Sequence, residues 1–249
     1  MKKVLVIILS LFIIGYLYSC AAEEITISGL LSDMYEEGLE DLPFGMEEED
    51  LFITDGVLFG KNVLLLYPSW LENEQYDIPE GVEYVFDDAF CGNEYLETVT
   101  IPTSCHVLGN GAFSECTALR RIIFAEHSEL LIIDDYCFAD CFQLESFSFP
   151  DSLYIIGYEA FSSTNIKRIV FPRSIALIKD YAFVHTPVTS IDFHPNADPA
   201  FVGKNSFDMS STDPITITLP FDADVSKYFA DPDEIENMEG IIIAYHEEE

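Results

Sequence analysis

Basic residues are scarce in this chain. Eleven lysines and arginines face 45 aspartates and glutamates, a formal net charge of −34. A surface of that sign repels phosphates and anionic headgroups, which argues against general binding to nucleic acid or to a lipid face. Catalytic signatures are missing too. There is no HExxH, GxSxG or SxxK, no glycine-rich phosphate loop and no dinucleotide fingerprint. No CxxC pair occurs, and His106, His127, His185, His194 and His246 are scattered, so no metal spacing is present and no cofactor is expected. Carboxylates are so abundant that no pair stands out. Asp87-Asp88 and Asp134-Asp135 read as turn residues facing solvent, with weak calcium binding as the alternative. Asp231-Pro232-Asp233-Glu234 hints at a calcium loop but has Glu236 where such a loop needs glycine.

Long apolar runs are also absent, except at the N-terminus. Lys2 and Lys3 precede the uncharged run Val4 to Tyr18, and the small residues Ser19, Cys20, Ala21 and Ala22 come next. That is the layout of a secretory signal over residues 1–19. Leu17-Tyr18-Ser19-Cys20 resembles a lipobox, which would make Cys20 the lipidated residue; ordinary cleavage near Ala21 or Ala22 and an uncleaved anchor are the alternatives. In each case the chain is exported and meets a membrane only through an N-terminal lipid or anchor. Residues 20–50 form an acidic leader, read as a tether, in which Ile27, Leu30, Leu31 and Met34 suit a short amphipathic helix after Ser28. Over 51–75, Thr54-Asp55-Gly56 between apolar runs predicts a hairpin that caps the remaining body of the chain.

What is abundant is phenylalanine, and it recurs. Phe90, Phe113, Phe138, Phe161, Phe183 and Phe207 each end the same small phrase, at spacings of 23, 25, 23, 22 and 24 residues. A period of that size marks a solenoid, placed here at 76–220. Period-two alternation at Val99/Ile101, Ile122/Phe124, Phe147/Phe149, Ile169/Phe171 and Ile191/Phe193 predicts one half-buried strand per unit. Pro102, Pro150, Pro172 and Pro220 end strands because proline cannot donate to a ladder. Gly109 and Gly157 suit the bend to the next edge. Cys105, Cys116, Cys137 and Cys141 fall in core slots as buried thiols, with a Cys116–Cys141 bridge as the alternative. Residues 221–249, with Ile241 to Tyr245 as a last strand, form a C-terminal cap.

Ile-Pro, then Ile-Gly, Ala-Phe, Cys and Leu in register resembles the BspA-like leucine-rich repeats of secreted and surface proteins, over about residues 51–220. Ala125 and His194 stand where that pattern has proline, and Cys137 and Ser206 where it has alanine. The resemblance implies a right-handed coil of short strands, turns and irregular segments. It also implies cell-surface interaction or adhesion, with a host or microbial surface protein (or glycan) as partner. The residues that alternate outward make a candidate binding strip: Thr98, Thr100, Arg121, Ile123, Ser146, Ser148, Arg168, Val170, Ser190, Asp192, Thr216 and Thr218. The strip holds a single acid and two of the few arginines. The bland alternative is that Thr, Ser and Val simply suit strands. The competing functions are an exported glycan-active hydrolase, for which no motif speaks, and a non-binding spacer on the envelope.

Overall fold

The computed structural model describes residues 45–199, 201–207, 214–221, 223–225, 229 and 241–247. The signal segment, Cys20, the leader before residue 45 and Asp231 to Glu234 lie outside the described residues. Strands β1 (Leu51–Thr54) and β2 (Val57–Gly60) pair antiparallel. Asp55 and Gly56 join them with φ of 51° and 80°. Positive φ at both turn residues matches the right-handed twist of a two-residue hairpin, which is why Asp-Gly works there. Strand β3 (Val63–Leu66) pairs antiparallel with β2, then hands the sheet over to the coil by pairing parallel with β5 (Tyr84–Val85).

Each turn of the coil has three edges. The first carries β4 (Gln75–Asp77), β6 (Thr98–Ile101) and β8 (Arg121–Phe124) in one parallel sheet. Beyond a break it continues as β11 (Arg168–Phe171), β13 (Ser190–Phe193), β15 (Ile215–Leu219) and β16 (Ile241–Tyr245) in another. The second edge is one sheet of nine short strands. β5 is followed in it by β7 (Val107–Leu108), β9 (Ile132–Ile133), β10 (Ile155–Ile156), β12 (Leu177–Ile178) and β14 (Phe201–Val202). The third edge is the phenylalanine phrase.

The rings of that phrase stack into a single buried column. Tyr67, Phe90, Phe113, Phe138, Phe161, Phe183 and Phe207 lie 4.6 to 5.7 Å apart, centroid to centroid, with planes within 21° of parallel. Backbone bonds run beside them. Phe90 N–H donates to Ala112 O (2.8 Å), Phe113 to Cys137 (2.8 Å), Phe138 to Ala160 (2.7 Å), Phe161 to Ala182 (2.8 Å) and Phe183 to Ser206 (2.7 Å). Every such donor points to the following turn. The phrase is tight because the residue two before each phenylalanine is left-handed, and at Asp88, Tyr136, Glu159, Tyr181 and Asn205 it is not glycine. An L-residue adopts that conformation at a cost of roughly 1–2 kcal/mol, offset here by the ladder it permits.

A hydrogen-bonding side chain three residues after each of the five rings from Phe90 to Phe183 completes the edge. Cys116 Sγ–H donates to Phe90 O (3.1 Å) and Cys141 Sγ–H to Phe113 O (3.1 Å); Thr164 and Thr186 hydroxyls donate to Phe161 O (2.9 Å) and Phe183 O (2.6 Å). Asn93, fully buried, donates to Ser69 and Leu71 carbonyls and accepts from the Tyr95 and Leu96 amides. All five described cysteines are free, including Cys116 and Cys141.

Three details differ from the sequence expectation. Phe147 and Phe149 lie in no strand, and residues 145–149 make no backbone hydrogen bond to the turn on either side. The side chain is the distinguishing feature: Phe147 puts an aromatic ring where the other interior turns carry Val or Ile, whereas the two extra residues between Phe124 and Ile133 recur between Phe193 and Val202, where β13 and β15 still pair. The Phe147 ring wedges against Phe124, Phe138 and Phe161 at 5.6, 5.2 and 4.9 Å. Second, Ala125 and His194, standing in place of proline, use their amides to bond Ile101 O (3.0 Å) and Phe171 O (3.1 Å), so those departures add rungs to the ladder. Third, Asp87 and Asp135 are half-buried caps rather than solvent-facing turn residues: Asp87 Oδ1 accepts from Asn110 N–H (2.9 Å) and Asp135 Oδ1 from Tyr158 N–H (2.7 Å).

Asp180 Oδ1 does the same for Lys204 N–H (2.8 Å), so one turn in two supplies a capping aspartate and the intervening turns supply glycine at 109, 157 and 203. A Cβ on Gly157 would lie 2.3 Å from Asp134 C, which requires the backbone to move. Phe161→Ala, in mid-stack, is expected to cost about 3–5 kcal/mol and Gly157→Ala about 1–3 kcal/mol, both read from urea unfolding. A loss below about 1 kcal/mol for Phe161→Ala contradicts the stack.

Candidate interaction surface

The outward residues of the first edge fall into two columns set by strand register. Thr98 pairs with Arg121, and Arg168 with Ser190 and then Thr216; alongside, Thr100 pairs with Ile123, and Val170 with Asp192 and then Thr218. Ser146 and Ser148 are exposed in the break between the two halves. The candidate residues therefore share one face, although Thr98 is only 7% exposed and offers little surface. The strip is longer than alternation alone indicated. β4 adds Gln75 and Asp77 at one end, making a second acid, and β16 adds Ile242 and Ala244 at the other.

Its chemistry is mixed. Arg121 and Arg168 are exposed on either side of the break, two turns or roughly 10 Å apart. Beside them Ile123 (46%) and Val170 (48%) project into solvent. Arg121 makes one long contact, Nη2 to Thr98 Oγ1 at 3.5 Å, and Arg168 Nη2 lies 4.0 Å from Asp192 Oδ2. Nothing in the sequence pattern joins Asp192 to His246, which stands just past β16. The histidine Nε2 is 3.1 Å from Asp192 Oδ1 and 2.8 Å from Phe193 O, so the strip's central acid is flanked by Arg168 and His246. At the centre, the backbone of 145–149 has no partner in either neighbouring turn.

The remaining titratable groups serve the coil. Lys179 reaches past Gly157, a turn without a side chain at that slot, to place Nζ 2.6 Å from Asp135 Oδ1 and 3.7 Å from Asp134 Oδ1. Burial lowers its pKa and the two carboxylates raise it, with a net upward shift. Burial holds the thiols of Cys116, Cys137 and Cys141 well above their ordinary range and pushes those of Cys91 and Cys105 up to about 12, so none is an activated nucleophile. Among the described residues no cluster of three or more His, Cys, Asp or Glu is disposed to hold a metal, and no helix is long and apolar enough to cross a membrane.

Comparison with known proteins agrees with this geometry. Residues 69–189 and 131–238 match the BspA type leucine rich repeat region, in six copies. A leucine rich cell surface protein from Faecalibacterium prausnitzii is 30% identical with a TM-score of 0.51, over 58% of this chain and 40% of its own. A leucine-rich repeat protein from Bacteroides ovatus is 22% identical with a TM-score of 0.53, over 72% of this chain and 48% of its own. The leucine rich repeat protein of T. pallidum is 22% identical with a TM-score of 0.50, over 73% of this chain and 86% of its own. The last two likenesses show the fold alone, and the chain spans less than half the length of the first two. No curated protein matches.

Asp87 offers a pH test of the capping geometry. Burial pushes its carboxyl above the ordinary range, against the Asn110 amide and the Tyr84 hydroxyl, which favour the anion. A raised folded pKa means that stability from this group is present below about pH 4 and is lost as pH rises through the folded value. Asp87→Asn keeps an acceptor oxygen and removes the titration. Urea midpoints should therefore show wild type falling relative to the variant as pH rises above about 4; the opposite trend would mean that the capping hydrogen bonds outweigh burial at this carboxyl.

Proposed function

Because the chain belongs to the BspA-type leucine-rich-repeat family, we propose that it is an exported, non-catalytic binding module of the cell surface. In this reading it is held at the membrane by a lipid on Cys20 and recognises a host or microbial surface protein (or glycan) through the outward strip. The observation that carries the reading is the composition of that face. In a chain of net charge −34, it presents two exposed arginines, three exposed aliphatic side chains and a central run of backbone without inter-turn bonds. Such a face offers a protein partner apolar contact, charge steering and open hydrogen-bonding groups together. The cell-surface setting draws on the Faecalibacterium relative, itself a cell surface protein, and on the N-terminal signal pattern.

The full chain, probed against arrays of host and bacterial surface proteins and of glycans, should retain a partner. The double variant Arg121→Glu, Arg168→Glu should then bind it at least about tenfold more weakly, with an unchanged circular dichroism spectrum. Unaltered affinity in the folded variant removes the strip from recognition, and no binder on any array favours the spacer. Processing that stops on replacing Cys20 by Ala, or under globomycin, would establish lipidation.

A further inference from the structure

The second edge of the coil carries a surface the repeat pattern does not announce. Its outward positions are Tyr84, Val107, Ile132, Ile155, Leu177 and Phe201, aligned turn by turn through strand register. None of the six is charged; Tyr84, Val107, Ile132, Ile155 and Leu177 are half-buried and Phe201 is 41% exposed. Leu131 and Tyr154, 44% and 53% exposed, widen the row in its middle. At its N-terminal end the row runs into a groove of about 380 Å³ lined by Met46, Val63, Tyr84 and Val107 together with the polar Lys61, Asn62, Glu83 and His106. A continuous apolar row of this length on a chain this acidic marks an interaction site.

We propose that this row docks an amphipathic helix with cationic flanks, supplied by another protein and lying along the coil axis. Spacing selects a helix. Turns of the coil are about 4.8 Å apart, against the 5.4 Å pitch at which a helix repeats one face, a drift of about 0.6 Å per turn. An extended strand repeats a face every 6.6–6.8 Å and falls out of step within three turns. Five intervals span roughly 24 Å, the length of about 16 helical residues.

Charge selects the flanks. In sequence the row's strands are flanked by Glu83, Glu129, Asp87, Asp134, Asp135 and Asp180, of which Glu129 lies 3.3 Å from His106 Nε2 and Asp87, Asp135 and Asp180 accept backbone amides of the next turn. Of the lysines beside them, Lys179 is held by Asp134 and Asp135 and Lys61 by Asp50. Lys or Arg beside an apolar helix face therefore meets acids in excess of bases, whereas a second copy of this chain brings a second −34 and is repelled. The row lies on a different edge from the strip, so this docking is independent of the function proposed above.

The test uses the full chain in phosphatidylcholine nanodiscs and three 18-residue peptides. One carries leucine at i, i+3, i+4 and i+7 with lysine elsewhere, one is its scramble, and one replaces lysine by glutamate. The lysine amphipath should bind at least about tenfold more tightly than the scramble, and the glutamate peptide should not bind. Ile132→Ser with Ile155→Ser, which adds no charge and alters only outward positions, should weaken the lysine amphipath at least about tenfold. Ile123→Ser with Val170→Ser, on the other edge, should leave it unchanged. Several results overturn the proposal. Equal binding of amphipath and scramble would mean charge attraction alone. Loss of binding only in the Ile123/Val170 variant would place the helix on the strip. Self-association abolished by the Ile132/Ile155 variant would assign the row to a second copy. Binding seen only after removal of residues 23–44 would assign it to the chain's own leader.

Discussion

The distance between one aromatic ring and the next sets the geometry of the whole coil. Rings stacked in offset fashion settle near the separation at which parallel backbones exchange hydrogen bonds. The column from Tyr67 to Phe207 satisfies both at once, with centroids 4.6 to 5.7 Å apart and inter-turn bonds of 2.7 to 2.8 Å at the same residues. Neither term has to yield to the other, so the turns hold register over the whole column. The costs are local: left-handed backbone at residues with side chains, and polar groups buried three positions after the rings from Phe90 to Phe183. Both are offset nearby, by the ladder and by a thiol, hydroxyl or amide that bonds a carbonyl of the same or the preceding turn.

That arrangement leaves the other two edges free to vary. The inner residues of each edge are committed to the core, but the outer ones contact little except their equivalents on adjacent turns. One edge has used this freedom for a mixed face with arginine, serine, threonine and isolated aliphatics. The other has used it for an unbroken apolar row. Few acids fall on either face: Asp77 and Asp192 on the first edge, and none among the six outward positions of the second.

Much of this is legible in the sequence because repetition makes weak signals add. The ring column follows from six phrases at one period, and the hairpin from a single Asp-Gly. The buried thiols follow from their fixed distance to Phe113 and Phe138. The failures have physical causes. Phe147 matches the strand alternation as well as Ile169 does, yet its bulk wedges against Phe124, Phe138 and Phe161 where the ladder breaks, and binary alternation does not record size. Thr98 alternates outward but is covered, because Arg121 of the next turn lies beside it. His246 meets Asp192 from 54 positions away in the chain, a contact only the register of β16 creates. The apolar row is written in the residue before each Val85, Leu108 or Ile133. It is hard to read there because two-residue strands show no periodicity of their own.

The alternation of capping aspartate and glycine also bears on how such a coil can lengthen. Asp87, Asp135 and Asp180 each reach forward to the turn that carries Gly109, Gly157 or Gly203, and Lys179 reaches back across one of those glycines. A single inserted turn would set glycine against glycine and leave an amide without its cap, or set one aspartate against another. The structural unit of this capping pattern is therefore a pair of turns, even though the phenylalanine period counts them singly.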